Sequence, residues 1–126
     1  MRILLDTAAL IFAAKSPDRL SRTAINAISD SGNNLEVSSI SLTEIAVKVS
    51  LGKLELPAPA VRNSIVELGV RILPFGADHA YQVFALPVIH RDPFDRQIIA
   101  QALVENVPVI TSDQVFRLYA GVKVIW

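Results

Sequence analysis

The sequence contains no cysteine among its 126 residues, which excludes disulfides, zinc–thiolate sites and thiol catalysis. It carries no net charge, because 12 lysine and arginine residues balance 12 aspartate and glutamate residues. A protein that binds nucleic acid through a bulk positive field is therefore not indicated, and any contact with nucleic acid must be local, for instance through metal ions. The five glycines match the spacing of neither a dinucleotide-binding loop nor a P-loop, which disfavours nucleotide-cofactor enzymes.

Long apolar runs are also absent. The longest uninterrupted runs, such as residues 8–14, span about seven residues, far fewer than the ~18 of a membrane-spanning helix. Asp6 interrupts the apolar start of the chain too early for a signal peptide, so we expect a cytoplasmic protein. Hydrophobic residues nevertheless make up 52% of the chain. This composition predicts a single domain over residues 1–126 with surplus apolar surface for an oligomer or an obligate partner.

Short apolar runs alternate with helix-like segments along the chain. Strands are predicted at residues 2–5, 35–38, 70–73, 107–111 and 122–125, and helices at 8–14, 20–29, 41–51, 59–69, 78–86, 92–105 and 114–119. Continuously apolar strands that alternate with helices are typical of a parallel sheet covered on both faces. We therefore predict a three-layer α/β/α domain around a mostly parallel five-stranded sheet, with ligands bound beyond the carboxyl ends of the strands.

Four carboxylates fall where this fold brings side chains to one edge of the sheet. Asp6 directly follows the first strand and Asp113 comes just after the fourth, whereas Glu44 and Asp95 lie near the starts of helices that open at the same edge. Crowded carboxylates repel one another unless a cation lies between them or some are protonated. Hard oxygen ligands suit Mg²⁺ or Mn²⁺, and such clusters most often serve phosphoryl chemistry.

Each acid also has a structural interpretation. Ser41 to Glu44 matches a capping box, in which the glutamate would bond back to the backbone of Ser41. Asp95 would complement a helix dipole, and Asp113 would be a turn residue or a helix cap. Asp6 is the hardest to explain structurally, because an acid that follows three apolar residues gains nothing from burial. The joint placement of the four acids is therefore the signal.

Other polar residues carry weaker signals. His79 and His90 show no metal-binding spacing, and we interpret both as structural or surface residues. Lys48 follows the glutamate by four residues, so a helix-surface ion pair is its simplest role, although it could instead touch a phosphate. Arg91 and Arg96 flank the same edge and could do likewise, but solvated faces are the simpler interpretation.

Four ordered motifs resemble those of PIN-domain nucleases, and most closely those of VapC-type toxins of bacterial type II toxin–antitoxin pairs. The resemblance covers residues 3–126, and the third motif is the most specific. The motifs are Leu4-Leu5-Asp6-Thr7, Ser41-Leu42-Thr43-Glu44-Ile45, His90-Arg91-Asp92-Pro93-Phe94-Asp95-Arg96 and Val109-Ile110-Thr111-Ser112-Asp113. The resemblance implies a Mg²⁺- or Mn²⁺-dependent endoribonuclease that cleaves RNA, usually as a homodimer, and is held inactive by an antitoxin.

The resemblance also implies roles for individual residues. The catalytic and metal-binding acids would be Asp6, Glu44, Asp95 and Asp113. Asp6 would contact the metal directly with Asp95 as its main partner, and Glu44 and Asp113 would hold waters or a second ion. Supporting hydroxyls that orient water or an acid would come from Thr7, Thr111 and Ser112.

Two departures from the family pattern concern substrate preference. Ala8 and Thr43 stand where relatives often carry His and Trp. The alternative function is a non-catalytic PIN-like module that binds RNA or a protein, and the intact set of four acids argues against it. A phosphoacceptor receiver domain is set aside, because Asp6 has no second acid beside it and the third strand ends in Leu73-Pro74.

Overall fold

A wholly parallel five-stranded sheet lies at the centre of the computed structural model, which describes all residues from Met1 to Trp126. The strand order is β3-β2-β1-β4-β5. The strands are β1 (Arg2–Leu5), β2 (Asn34–Ser38), β3 (Arg71–Leu73), β4 (Val109–Ile110) and β5 (Val124–Ile125). The helices are α1 (Thr7–Lys15), α2 (Arg22–Ser29), α3 (Ser39–Ser50), α4 (Ala58–Leu68), α5 (Ala77–Ala85) and α6 (Pro93–Glu105), with 3₁₀ turns at Pro17–Arg19 and Gln114–Leu118.

Alternate residues of β1 face two separate apolar cores. Ile3 and Leu5 pack into a core shared with α1, α2 and α4, and Leu4 packs into a second core shared with α6. Successive side chains of a strand point to opposite faces, so the sheet is covered on both sides. The predicted three-layer α/β/α architecture is confirmed. None of the helices has the length and apolarity that crossing a membrane requires.

The register of the central strands determines where the polar residues emerge. Leu5 is paired with Val37 of β2 on one side and with Ile110 of β4 on the other. The residues that follow, Asp6 and Thr111, therefore leave the sheet side by side at its carboxyl edge. The strand order reverses between β1 and β4, and this reversal is where parallel α/β sheets open a crevice for ligands.

Helix α3 begins two residues earlier than predicted, and this corrects the capping box. Its cap is Ser38, whose hydroxyl accepts the N–H of Ile40. Ser41 is completely buried inside the helix, where its hydroxyl accepts a hydrogen bond from the hydroxyl of Thr7 at 2.9 Å. Glu44 therefore lies in the second turn, and its carboxylate does not cap the helix.

The predicted fourth strand is too long by three residues. The N–H of Val107 closes the end of α6 by donating to the carbonyl of Ala102, which removes it from the sheet. Asn106 makes this turn possible, because it adopts the left-handed conformation with φ of 53° that ends many helices. Only Val109 and Ile110 remain in β4.

We predict that Ile98→Ala destabilises the protein far more than Val104→Ala. Both residues lie on α6, but Ile98 is fully buried whereas Val104 is exposed. A buried isoleucine replaced by alanine costs about 2–5 kcal/mol of unfolding free energy, and the exposed valine about 1 kcal/mol or less. Urea denaturation measures both values, and equal losses would contradict the assigned packing of α6.

Candidate metal centre

Asp6 is a buried helix cap as well as a candidate ligand. Its Oδ1 accepts the N–H of Ala9 at 2.8 Å at the start of α1, and only 4% of the residue is exposed. The pKa of Asp6 is raised to about 6, mainly by burial and also by the charges of Asp113 and Glu44. Hydrogen bonds from Thr111 and Ala9 offset part of this rise. The carboxyl therefore lies among other carboxylates, whose charges disfavour its ionised form.

Glu44 provides an unpaired oxygen in the same region. The residue is 3% exposed, and its Oε2 accepts a hydrogen bond from Lys48 at 2.7 Å. The predicted ion pair four residues apart is thus confirmed. The other oxygen, Oε1, is buried without any hydrogen-bond partner. An unsatisfied buried carboxylate oxygen is costly, and a divalent cation would satisfy it, so this residue fits a metal centre.

Asp95 lies in the first turn of α6, behind the cap Asp92. Its pKa is raised to about 7, mainly by burial and next by the charge of Asp92; His90 lowers it, and the charges of Glu44 and Asp6 add to the rise. Glu44 thus raises the pKa values of both Asp6 and Asp95, and Asp6 also raises that of Asp95. The four acids drawn from distant parts of the sequence lie in one electrostatic cluster.

His90 lies inside this cluster, which the interpretation as a structural or surface residue missed. Its Nε2 is 2.8 Å from Asp113 Oδ2 and 3.0 Å from Asp95 Oδ2. These three side chains are close enough together for a metal ion to contact one atom of each. The sequence feature that could have identified His90 is its position, two residues before the cap Asp92 within the most specific motif.

Asp113 combines its predicted cap role with a place in the cluster. Its Oδ1 accepts the N–H of Val115 at 2.9 Å at the start of the second 3₁₀ turn, while Oδ2 faces His90. Its own N–H donates to the hydroxyl of Thr111 at 3.0 Å. Thr111 therefore links Asp113 to Asp6, as a supporting residue would.

The other two supporting candidates make no side-chain hydrogen bond to the acids. The hydroxyl of Thr7 is buried and donates to Ser41, which joins the start of α1 to α3. Ser112 is exposed, and its hydroxyl makes no hydrogen bond.

Tyr119 anchors the loop that carries His90. Its hydroxyl accepts the N–H of His90 at 2.8 Å and donates to the carbonyl of Pro87 at 3.1 Å. Arg96 donates to the same carbonyl at 2.9 Å and to the tyrosine hydroxyl at 3.3 Å. The guanidinium of Arg96 therefore supports the loop, whereas Arg91 is exposed to solvent.

His79 belongs to a separate ion network. Its Nε2 lies 3.0 Å from Glu105, which also pairs with Arg2 at 2.9 Å, and Arg2 in turn pairs with Glu36. The hydrogen bond from His79, followed by that from Arg2, lowers the pKa of Glu105. The structural interpretation of this histidine is confirmed.

The sequence-family model for the PIN domain matches residues 3–122 of this sequence. The chain belongs to the PIN domain family. Similar structures include VapBC2 from Rickettsia felis, bound to a DNA fragment from its promoter, with a TM-score of 0.73, 18% identity and coverage of 98% of this chain and 97% of that chain. DNA-bound VapBC from Salmonella typhimurium gives a TM-score of 0.72, 18% identity and coverage of 98% and 96%.

A third similar structure is VapBC-5 from Mycobacterium tuberculosis, a member of the VapBC family of toxin–antitoxin systems. It gives a TM-score of 0.61, 20% identity and coverage of 98% of this chain and 97% of that chain. No curated protein matches the sequence significantly. At these identities the structural matches establish that this PIN domain shares the fold of those chains.

We predict that the metal-free PIN domain loses stability as pH rises from about 4 to about 7. The pKa values of Asp6 and Asp95 rise from 3.8 to about 6 and about 7 on folding. The folded state therefore holds protons that the unfolded state releases, so the contribution is fully present below pH 3.8 and is lost as pH rises through the folded pKa values. For Asp6 alone the change amounts to about 3 kcal/mol.

The measurement is urea denaturation in a chelator across this pH range, for wild type, Asp95→Asn and the control Asp18→Asn. Asp18 is exposed and makes no side-chain hydrogen bond, so its variant should follow the wild-type curve. The stability of Asp95→Asn relative to wild type should increase with pH. Parallel curves for all three proteins would contradict the clustering of the acids.

Proposed function

We propose that this protein is a VapC-type toxin, a metal-dependent endoribonuclease whose 126 residues form one PIN nuclease domain. The observation that carries this proposal is the unpaired Oε1 of buried Glu44 beside three further carboxylates at the carboxyl edge of a PIN fold. Such a donor set, dominated by oxygen, suits Mg²⁺ or Mn²⁺. Membership of the PIN domain family and the four sequence motifs also support this proposal.

The four acids differ in burial and in the hydrogen bonds that they already make. Burial and neighbouring negative charge raise the pKa values of Asp6 and Asp95, so a cation beside these two carboxyls would be strongly favoured. These two residues would bind the ion, and Glu44 would contribute its free oxygen directly or through water. Asp113, with both oxygens already engaged, would orient its neighbours. When bound, the divalent ion supplies positive charge that stabilises the phosphoryl transition state and lowers the pKa of water.

The alternative function is a non-catalytic module that binds RNA or a protein. Such a module gains nothing from burying Asp6 and Glu44 together, because the arrangement costs stability and leaves a carboxylate oxygen unsatisfied. The net charge of zero also provides no bulk positive field for RNA binding. The nuclease function explains both features, since the ion would provide charge locally.

An antitoxin is the protein partner that we propose. The similar VapBC-5 structure is described as a member of a toxin–antitoxin family. The PIN domain described here has an apolar groove of about 730 Å³ between α3 and α4, where Arg62 is the one charged lining residue. The groove contributes apolar surface of the kind that a partner protein covers.

A second copy of the chain is the other partner that we propose. Tyr81 and Phe84 are one helical turn apart on α5 and are 72% and 88% exposed, with Val88 close behind them in the sequence. Adjacent exposed side chains of this size form an apolar patch rather than isolated surface residues. The patch shares no residue with the lining of the groove between α3 and α4.

We predict that Asp95→Asn abolishes metal binding and RNA cleavage but leaves the fold intact. The substitution removes one negative charge and keeps the side-chain shape, so the metal-free protein should be as stable as wild type or more stable. The first measurement is a thermal-shift titration with Mn²⁺ and Mg²⁺, since binding to the folded state alone must raise its stability. Asp6→Asn should behave likewise, because asparagine also caps helices well.

Cleavage is read in cells, because the target RNA is unknown. Expression of the wild-type chain without an antitoxin should arrest bacterial growth, whereas Asp95→Asn at equal protein level should not. Asp18→Asn, at an exposed position away from the cluster, serves as the matched control and should arrest growth like wild type. A metal response or growth arrest that persists at full strength in Asp95→Asn would refute the assigned nuclease centre.

We predict that the purified chain is a dimer of about 27 kDa, twice the 13.7 kDa of one chain. Phe84→Glu should shift it to monomer, because a charge would be placed in the apolar patch of α5. Val66→Glu is the matched control, since Val66 is 79% exposed but lines the other apolar surface. Light scattering measures the mass, and a wild-type monomer at high concentration contradicts self-association.

A further inference from the structure

The carboxylates of Asp95 and Asp113 need something to hold them together. Their side chains are 18% and 35% exposed, so each has solvent into which it could turn to escape the other's charge. Their Oδ2 atoms nevertheless both lie within 3.0 Å of His90 Nε2. The imidazole is the group that joins the end of β4 to the start of α6.

The backbone determines which tautomer His90 adopts. The N–H of Asp92 points at His90 Nδ1 at 3.2 Å, so Nδ1 acts as the hydrogen-bond acceptor. A proton therefore resides on Nε2, where it is donated to Asp113 Oδ2 with Asp95 Oδ2 beside it. A metal bound at Nε2 would need the tautomer that carries its proton on Nδ1. The Nδ1–H of His90 would then face the N–H of Asp92, so that two donors would meet without an acceptor.

The loop that carries His90 is itself held in place. The hydroxyl of Tyr119 accepts the backbone N–H of His90, and Tyr119 is buried in the core beneath α6. The ring of Phe116 lies edge-on to the imidazole, with 6.1 Å between centroids. The position of His90 is thus determined by its backbone, by one ring nitrogen and by an aromatic neighbour.

We propose that His90 is a positioning residue for the metal centre, which holds Asp95 and Asp113 in the arrangement that the ion requires without being a ligand itself. This inference rests on the proposed metal-dependent function. Because the imidazole acts through the carboxylates, its loss should weaken the binding of Mg²⁺ and Mn²⁺ by the same factor. A nitrogen ligand would instead favour Mn²⁺ over Mg²⁺. Removing a partner that orients metal ligands costs about 10–100-fold in affinity.

The experiment compares wild type with His90→Ala, His90→Asn and His90→Gln. The amide nitrogen of glutamine can take the place of Nε2, whereas that of asparagine matches Nδ1 and falls short of the carboxylates. Mn²⁺ affinity is measured by electron paramagnetic resonance of free Mn²⁺, Mg²⁺ affinity by competition, and nitrogen coordination by pulsed resonance of bound Mn²⁺. Thermal unfolding in a chelator checks that each variant folds.

We expect His90→Ala and His90→Asn to bind both ions about 10–100-fold more weakly, and His90→Gln to recover most of the loss. Bound Mn²⁺ in wild type should show no coupling to an imidazole nitrogen. Tyr119→Phe keeps the buried ring but releases the loop, and should give a smaller loss in the same direction. It tests the same idea if His90→Ala does not fold.

Four results would overturn the proposal. Nitrogen coupling in wild type, or a loss confined to Mn²⁺, would make His90 a ligand. Tighter binding by His90→Ala would mean that the imidazole blocks the ion, and unchanged binding would leave it a purely structural residue. Failure of the proposed function is recognised separately, because wild type would then bind no metal or Asp95→Asn would bind it equally well.

Discussion

Repulsion among carboxylates at the carboxyl edge of β1 and β4 is the constraint that governs this molecule. Burial raises the pKa of Asp6 and of Asp95, and each neighbouring acid adds to the rise. No packing requirement explains why acids should lie beside one another there. The rest of the fold is consistent with accommodating them, because the ends of β1 and β4, the start of α6 and the second turn of α3 each deliver one carboxylate to that edge.

The sequence predicted the architecture well because it depends on patterns that one chain displays. Continuous apolar strands indicated a sheet covered on both faces, and Asp92-Pro93 correctly marked the start of α6. The start of α3 was predicted wrongly because serine occurs at both Ser38 and Ser41, and either could cap a helix. Tertiary packing decides between them, since Ser41 is buried against Thr7. No local pattern contains that contact.

The site was predicted only in part, for a related reason. The four acids were identified from their places after strands and near helix starts, and the structure brings them into one cluster. His90 was interpreted as a structural or surface residue because its partners are distant in sequence: Asp113 follows by 23 residues and Tyr119 by 29. The structural and functional interpretations of an acid also proved compatible. Asp6 and Asp113 each use one carboxylate oxygen to cap a helix, which leaves the other oxygen for the cluster.

The position of β1 between β2 and β4 has a consequence for the order in which the candidate centre assembles. Asp6 directly follows β1, whereas the neighbouring strand β4 and Asp113 come more than 100 residues later in the sequence. A growing chain can fold its earlier part first, yet this pairing joins segments that are far apart in the sequence. The proposed nuclease therefore cannot assemble its centre until β4 and Asp113 have been synthesised. The ribosome that makes this chain is spared the proposed activity until that point.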